Sequence, residues 1–152
     1  MSCPRWQDED GSAIIEFVFV ALLVLMPLVY LIVAVAVVQR SRLATTGAAR
    51  DVGRAIATAD AGQEQARAEA ALRIALANQG LKPADVDVRY VAPDADCQIG
   101  PQQVPTLTAG AEFQVCVIRH QRLPAVPRLL AGRGITTIGR YVVHVDEFRP
   151  LH

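Results

Sequence analysis

From Ser12 to Val38 the chain is apolar with one charged side chain, Glu16, and beyond Val38 the apolar positions become periodic. An α-helix needs about 20 apolar residues to cross the hydrocarbon core, so 12–38 is expected to be a transmembrane helix with length to spare for tilt. Pro27 lies inside it and removes one backbone hydrogen bond, which predicts a kink that membrane helices tolerate. From Gln39 to Ala59 the pattern stays helical. Leu43, Gly47, Val52, Ile56 and Ala59 recur at spacings of three to five, and Arg50 and Arg54 mark the opposite side. This predicts a stem carrying a thin seam of small residues, for a partner or for the chain's own distal domain.

Asp60-Ala61-Gly62-Gln63 is a break and restart, with Asp60 and Gln63 placed for a capping box. Gln63 to Gln79 predicts a second helix with Ala68, Leu72, Ala75 and Leu76 on one face, stopped by Gly80 and Pro83. The period then changes to two. Val86–Val91, Ala111–His120 and Ile135–Phe148 are expected as strands, joined by a loop over 93–105 and a connection over 124–134 with a helical turn at Arg128-Leu129-Leu130. The fold class is therefore α+β: a long N-terminal helix, a second helix, and an antiparallel sheet of about three strands against helix 63–79. The domain plan is 1–11 leader-like, 12–38 transmembrane, 39–80 stem and second helix, and 81–152 a small β-rich distal domain.

Composition narrows the function. The chain has 152 residues and no formal net charge. Removing the span leaves material for one small domain. No basic stripe with interleaved aromatics is present, so nucleic acid is not an expected partner. The apolar run is far longer than the roughly 7–15 residues of a secretory h-region, and its flank is acidic, so a retained anchor fits better than a cleaved signal peptide. His120, His144 and His152 are scattered without metal-ligand spacing, and no phosphate-binding loop or nucleophile elbow occurs. Neither an enzyme nor a cofactor or metal is expected.

Two features point to chemistry of another kind. Cys97 is predicted on a loop and Cys116 in mid-strand; the pair fits either a disulfide, worth ~3 kcal/mol for a loop of that length, or two buried thiols. Glu16 is a carboxylate about one turn inside the apolar boundary, a costly position unless its charge is answered. Snorkelling to the headgroups is one answer. A second would be an α-amino group created by a cut between Gly11 and Ser12. Such an amine is mostly protonated at neutral pH and lies about one helical turn from Glu16.

Gly-Ser-Ala-Ile-Ile-Glu-Phe (11–17), Met-Pro-Leu-Val-Tyr (26–30) and Ala-Ala-Arg-Asp-Val-Gly-Arg-Ala (48–55) together resemble the TadE-like family, the pseudopilin-like proteins of the tight-adherence (Flp) pilus system, in an actinobacterial form. The likeness covers residues 8–80. It implies a pilin-like fold and cleavage after Gly11 by a prepilin peptidase, making Ser12 the first residue of the mature chain. It also implies an assembly role for Glu16 beside Phe17, and a subunit whose assembly is driven by a separate ATPase. The implied partners are the membrane, the prepilin peptidase, other pilin-like subunits and the pilus assembly platform proteins of a type IV-like pilus or secretion machine.

A competing class is an unprocessed single-pass anchor that presents a small binding or regulatory domain. It rests on Asp8, Glu9 and Asp10, because prepilin leaders are usually basic. Orientation divides in the same way. Only Arg5 precedes the span, whereas Arg40, Arg42, Arg50 and Arg54 follow it, which by the positive-inside rule puts the distal domain in the cytoplasm. The resemblance, and a disulfide in an oxidising compartment, put it outside. The expected topology is N-terminus cytoplasmic and distal domain extracytoplasmic, in the cytoplasmic membrane or on a pilus at the cell surface.

Overall fold

The computed structural model describes residues 10–122 and 134–147, with side chains from Ile14 onward. The leader-like residues 1–9, the turn expected at Arg128-Leu129-Leu130 and Phe148 lie outside them. The chain divides into two compact units, Met1–Ala36 and Val37–His152. Its elements in order are helix α1 (Asp10–Ala57), helix α2 (Glu64–Ala77), a 3₁₀ turn (Pro83–Asp85), and strands β1 (Val86–Val91), β2 (Glu112–Gln121) and β3 (Ile135–His144). The α+β architecture and its order are those expected from the sequence.

In the first unit α1 is apolar all round. Pro27 sits inside the helix, where the backbone bond to the Leu23 carbonyl is necessarily missing. The helix is long and apolar enough to cross a membrane, and its most apolar window has no buried residue.

In the second unit a three-stranded antiparallel sheet has the order β1-β2-β3. Val88 lies opposite Val117, and Val117 opposite Gly139, which sets the register and sorts side chains onto two faces. One face carries Val86, Val88, Tyr90, Phe113, Val115, Val117, Tyr141 and Val143. It packs with Ala48, Ala49, Val52 and Ile56 of α1 and with Ala68 and Leu76 of α2 into the main core. Tyr90 and Phe113 meet edge to face within it, 6.3 Å between ring centres. The sheet thus rests on the α1 stem as well as on α2.

The stem seam differs from the one expected. Leu43 is 75% exposed, and a Cβ added at Gly47 would meet nothing within 4 Å. Val52, Ile56 and Ala59 are buried as expected, and the remaining buried positions are Ser41, Ala44, Thr45, Ala48, Ala49 and Gly53. A helix backbone this close to a sheet selects small side chains over hydrophobic ones. The two hydroxyls are satisfied locally: Thr45 donates to the Ser41 carbonyl at 3.1 Å, and Ser41 Oγ is 2.7 Å from Thr137 Oγ1 on β3.

The capping box at Asp60 does not form. The chain turns through Gly62 at φ 83°, and α2 starts from Gln63 without a side-chain cap. The other end follows expectation: Gly80 adopts φ 67°, and the Leu81 N–H bonds the Leu76 carbonyl at 2.9 Å, a Schellman stop. The third strand ends at His144, four residues short of the expected Phe148. Val145 continues the pairing with two bonds, its N–H to the Ala111 carbonyl at 2.9 Å and its carbonyl accepting the Gly110 N–H at 3.1 Å.

Candidate functional site

Two regions carry the residues singled out by sequence. In the first unit, Gly11 and Ser12 lie in the opening turn of α1. The first N–H groups of a helix have no intrahelical acceptors, so this is the least costly place to open the backbone for a peptidase. Glu16 is exposed, and Phe17 beside it is 73% exposed. Glu16 has no hydrogen bond or ion pair among the described residues. Its charge is left for solvent, headgroups or another chain to answer.

The second region is the first part of the loop between β1 and β2, which packs through Ala95 and Cys97 on the sheet face opposite the helices. Cys97 and Cys116 are joined by a disulfide, Cα atoms 5.7 Å apart and 19 residues apart in sequence. Both are fully buried with Val91 and Ile118 in a second, smaller core. The sequence placed both cysteines but not what surrounds them. Arg89, on the outer face of β1, donates to the carbonyls of Cys97 at 2.9 Å, Gln98, and Gly100 at 2.8 Å. One guanidinium thereby fixes three carbonyls of a single turn, residues 97–100. Gln114 Nε2 donates to the Ala95 carbonyl at 3.3 Å, and the Gln103 N–H reaches the Tyr90 carbonyl at 2.8 Å.

Asp96 closes the tip: its Oδ1 accepts the Gln98 N–H at 2.7 Å. That bond holds the Asp96 carboxyl below its ordinary value, and the Ile99 N–H and the guanidiniums of Arg140 and Arg89 act in the same direction against a smaller desolvation effect. Gly100 is buried under the loop, where an added Cβ would stand 2.5 Å from the Asp96 carbonyl oxygen. The outcome is a stapled loop that presents Ile99 and Val104 to the outside, each 87% exposed.

The described histidines sit on the sheet surface. His120 Nδ1 is 2.9 Å from Thr136 Oγ1, and His144 Nδ1 is 2.7 Å from Glu112 Oε1. Such an exposed pair contributes little to stability. Among the described residues no group of His, Cys, Asp and Glu is arranged to hold a metal ion. Comparison with protein-family models, with curated proteins and with solved structures gives no match.

Proposed function

We propose that this chain is a minor pilin-like subunit, a TadE-like pseudopilin of a tight-adherence pilus or a related secretion assembly. In this reading it is cleaved after Gly11 and held in the cytoplasmic membrane until it joins other pilin-like subunits. The observation that carries the proposal is the division of labour along α1. None of its residues from Ile14 to Val35 is buried, all but Tyr30 and Ala34 are exposed, and one carboxylate, Glu16, is unanswered. Its residues from Ser41 to Ile56 are the buried spine of a self-contained domain. A helix that is apolar all round and does not serve its own core is suited to lipid or to neighbouring helices.

Within a bundle of such helices, the new α-amino group of Ser12, on the same or an adjacent copy, would answer Glu16 in a medium where an unpaired charge is costly. The disulfide-stapled loop would then lie on the exposed domain, in keeping with an oxidising compartment.

The test is the mass of the mature N-terminus in cells that build the pilus. A polypeptide beginning at Ser12 is expected. One still carrying residues 1–11 would overturn the reading and leave an unprocessed anchor, the outcome favoured by Asp8, Glu9 and Asp10. Glu16→Ala is expected to insert normally and to incorporate poorly; equal incorporation of variant and wild type removes the assembly role of the carboxylate.

A further inference from the structure

We infer that a cavity in the second unit, at the membrane-proximal end of the stem, binds the phosphate of a membrane phospholipid. The cavity has a volume of about 480 Å³, and its wall includes Val37 and Arg40 of α1, Asp85, and Arg119, Gln121 and Arg122 at the end of β2.

Its hydrogen-bonding is unbalanced toward donors. Arg119 Nη1 is engaged, donating to Ser41 Oγ at 3.2 Å and to Gln121 Oε1 at 2.7 Å. The second bond fixes the Gln121 amide with its nitrogen turned away from Arg119. Gln121 is only 9% exposed, yet its Nε2 is buried without a partner, as is Arg119 Nε. Both nitrogens have almost no accessible surface, so an occupant's acceptors reach them only once the two side chains turn toward the cavity, and relief of a costly unsatisfied donor favours that turn.

Charge points the same way. Three guanidiniums line the cavity against one carboxylate, and among the described residues none of the three makes an ion pair. Asp85 is already engaged, its Oδ2 accepting the Lys82 N–H at 2.9 Å. Arg40 spends one N–H on the Gln79 carbonyl at 3.2 Å and keeps the rest. Several Arg donors converging on one space match the oxygens of a phosphate better than any neutral group.

The position selects a lipid as the source. Val37 belongs to the apolar run and Arg40 follows its last residue by two, about 3 Å of helix rise. Phosphates are the first anionic groups met on leaving the hydrocarbon, and basic pockets at that level bind headgroups. Both leaflets carry phosphodiesters, so the inference holds for either orientation. It rests on the membrane span alone and not on the pilin-like reading.

The experiment is native mass spectrometry of the full chain released from phosphate-free detergent. The ligands offered are phosphatidylglycerol, a phosphate-free galactosyl diacylglycerol, and millimolar inorganic phosphate. The wild type is expected to keep phosphatidylglycerol and shed the other two. Arg119→Gln and Arg122→Gln should each retain the phospholipid about tenfold less or worse. Arg122 is exposed and makes no side-chain hydrogen bond among the described residues, so its variant reads binding without disturbing the fold. Equal retention of the galactolipid, or undiminished phospholipid on both variants, overturns the phosphate site. Inorganic phosphate held as well as the lipid overturns the membrane as its source. The N-terminal mass in the same spectra reports on leader cleavage independently.

Discussion

Replacing Gly139 by alanine should damage the second unit more than any loss of a surface contact. Glycine inside a strand normally weakens it, so on propensity alone the substitution would stabilise. Here an added Cβ would lie 2.1 Å from both the carbonyl carbon and the oxygen of Thr45, and 2.4 Å from the Thr46 nitrogen. Ordinary van der Waals contact begins at 3.4 Å. All three obstacles are helix backbone, which has no rotamer to change, so α1 and β3 must part by about 1 Å or more. That movement strains the 2.7 Å bond between Ser41 and Thr137 on one side of the crossing. Overpacking a core with side chains free to adjust costs about 1–3 kcal/mol. With backbone on the far side the upper end of that range is expected, a fall in midpoint of about 10 °C or more for a domain of this size. The matched control is Gly47→Ala on the same helix. An added Cβ there meets nothing within 4 Å, and alanine is favoured over glycine in a helix by about 1 kcal/mol, so the midpoint should rise. The assay is thermal unfolding of the full chain in micelles, followed by near-ultraviolet circular dichroism, because the apolar part of α1 would dominate the far-ultraviolet signal. A Gly139→Ala protein melting with the wild type would refute the close approach of helix and strand.

Other consequences are as direct. Cys97→Ala with Cys116→Ala should lower stability by ~3 kcal/mol for a 19-residue separation, measured by denaturant unfolding; an unchanged midpoint would mean the loop is held by its hydrogen bonds without the disulfide. Arg89→Met strands three carbonyls and should speed hydrogen exchange across residues 96–100 while leaving β2 and β3 protected. Asp96, with its folded pKa depressed below an ordinary 3.8, contributes stability that is fully present above that value and lost as pH falls through the depressed one. Asp96→Asn should therefore flatten the acid limb of the stability curve below about pH 4, and an identical limb in both proteins would show that the turn does not depend on the charge.

How much of this was legible beforehand varies with the kind of signal. The period-two strands read clearly, because each alternates between a helix-covered face and a second face and leaves its register in the sequence. Val86–Val91 was placed to the residue, and Ala111–His120 and its two faces to within one. The stem seam is legible at Val52, Ile56 and Ala59, which are buried, but not at its start, because hydropathy ranks Leu43 above Ser41 and Thr45, whereas a close approach ranks by size. The capping box failed for a different reason. Asp60 and Gln63 had the right spacing, but Gly62 between them takes a left-handed conformation that carries the chain out of the required geometry. The donor-rich cavity had no local signal at all. Its residues come from four separated stretches, brought together by long-range pairings such as Ser41 with Arg119 and Thr137 and Arg40 with the Gln79 carbonyl.

The identity of the small residues on the stem follows from a matching of lengths. Ser41, Thr45, Ala49 and Gly53 form one column of α1, each step advancing about 6 Å along the axis. On β3, residues pointing to the helix face recur every two positions, a step of about 6.6–6.8 Å. Ser41 meets Thr137, and Thr45 meets Gly139, so helix and strand begin in step and run in the same direction. The mismatch of under 1 Å per step accumulates to about 2 Å after three. Gly53 should then fall short of Val143 and stand between it and Tyr141. That is where it is found: an added Cβ would be 2.6 Å from Tyr141 Cδ1 and 2.7 Å from Val143 Cγ2. The column thus ends in glycine because the drift brings two large side chains to bear on one position. By the same geometry the domain grips only this side of the stem. Leu43, Arg50 and Arg54 stay exposed along another, a stripe the chain does not cover with its own domain.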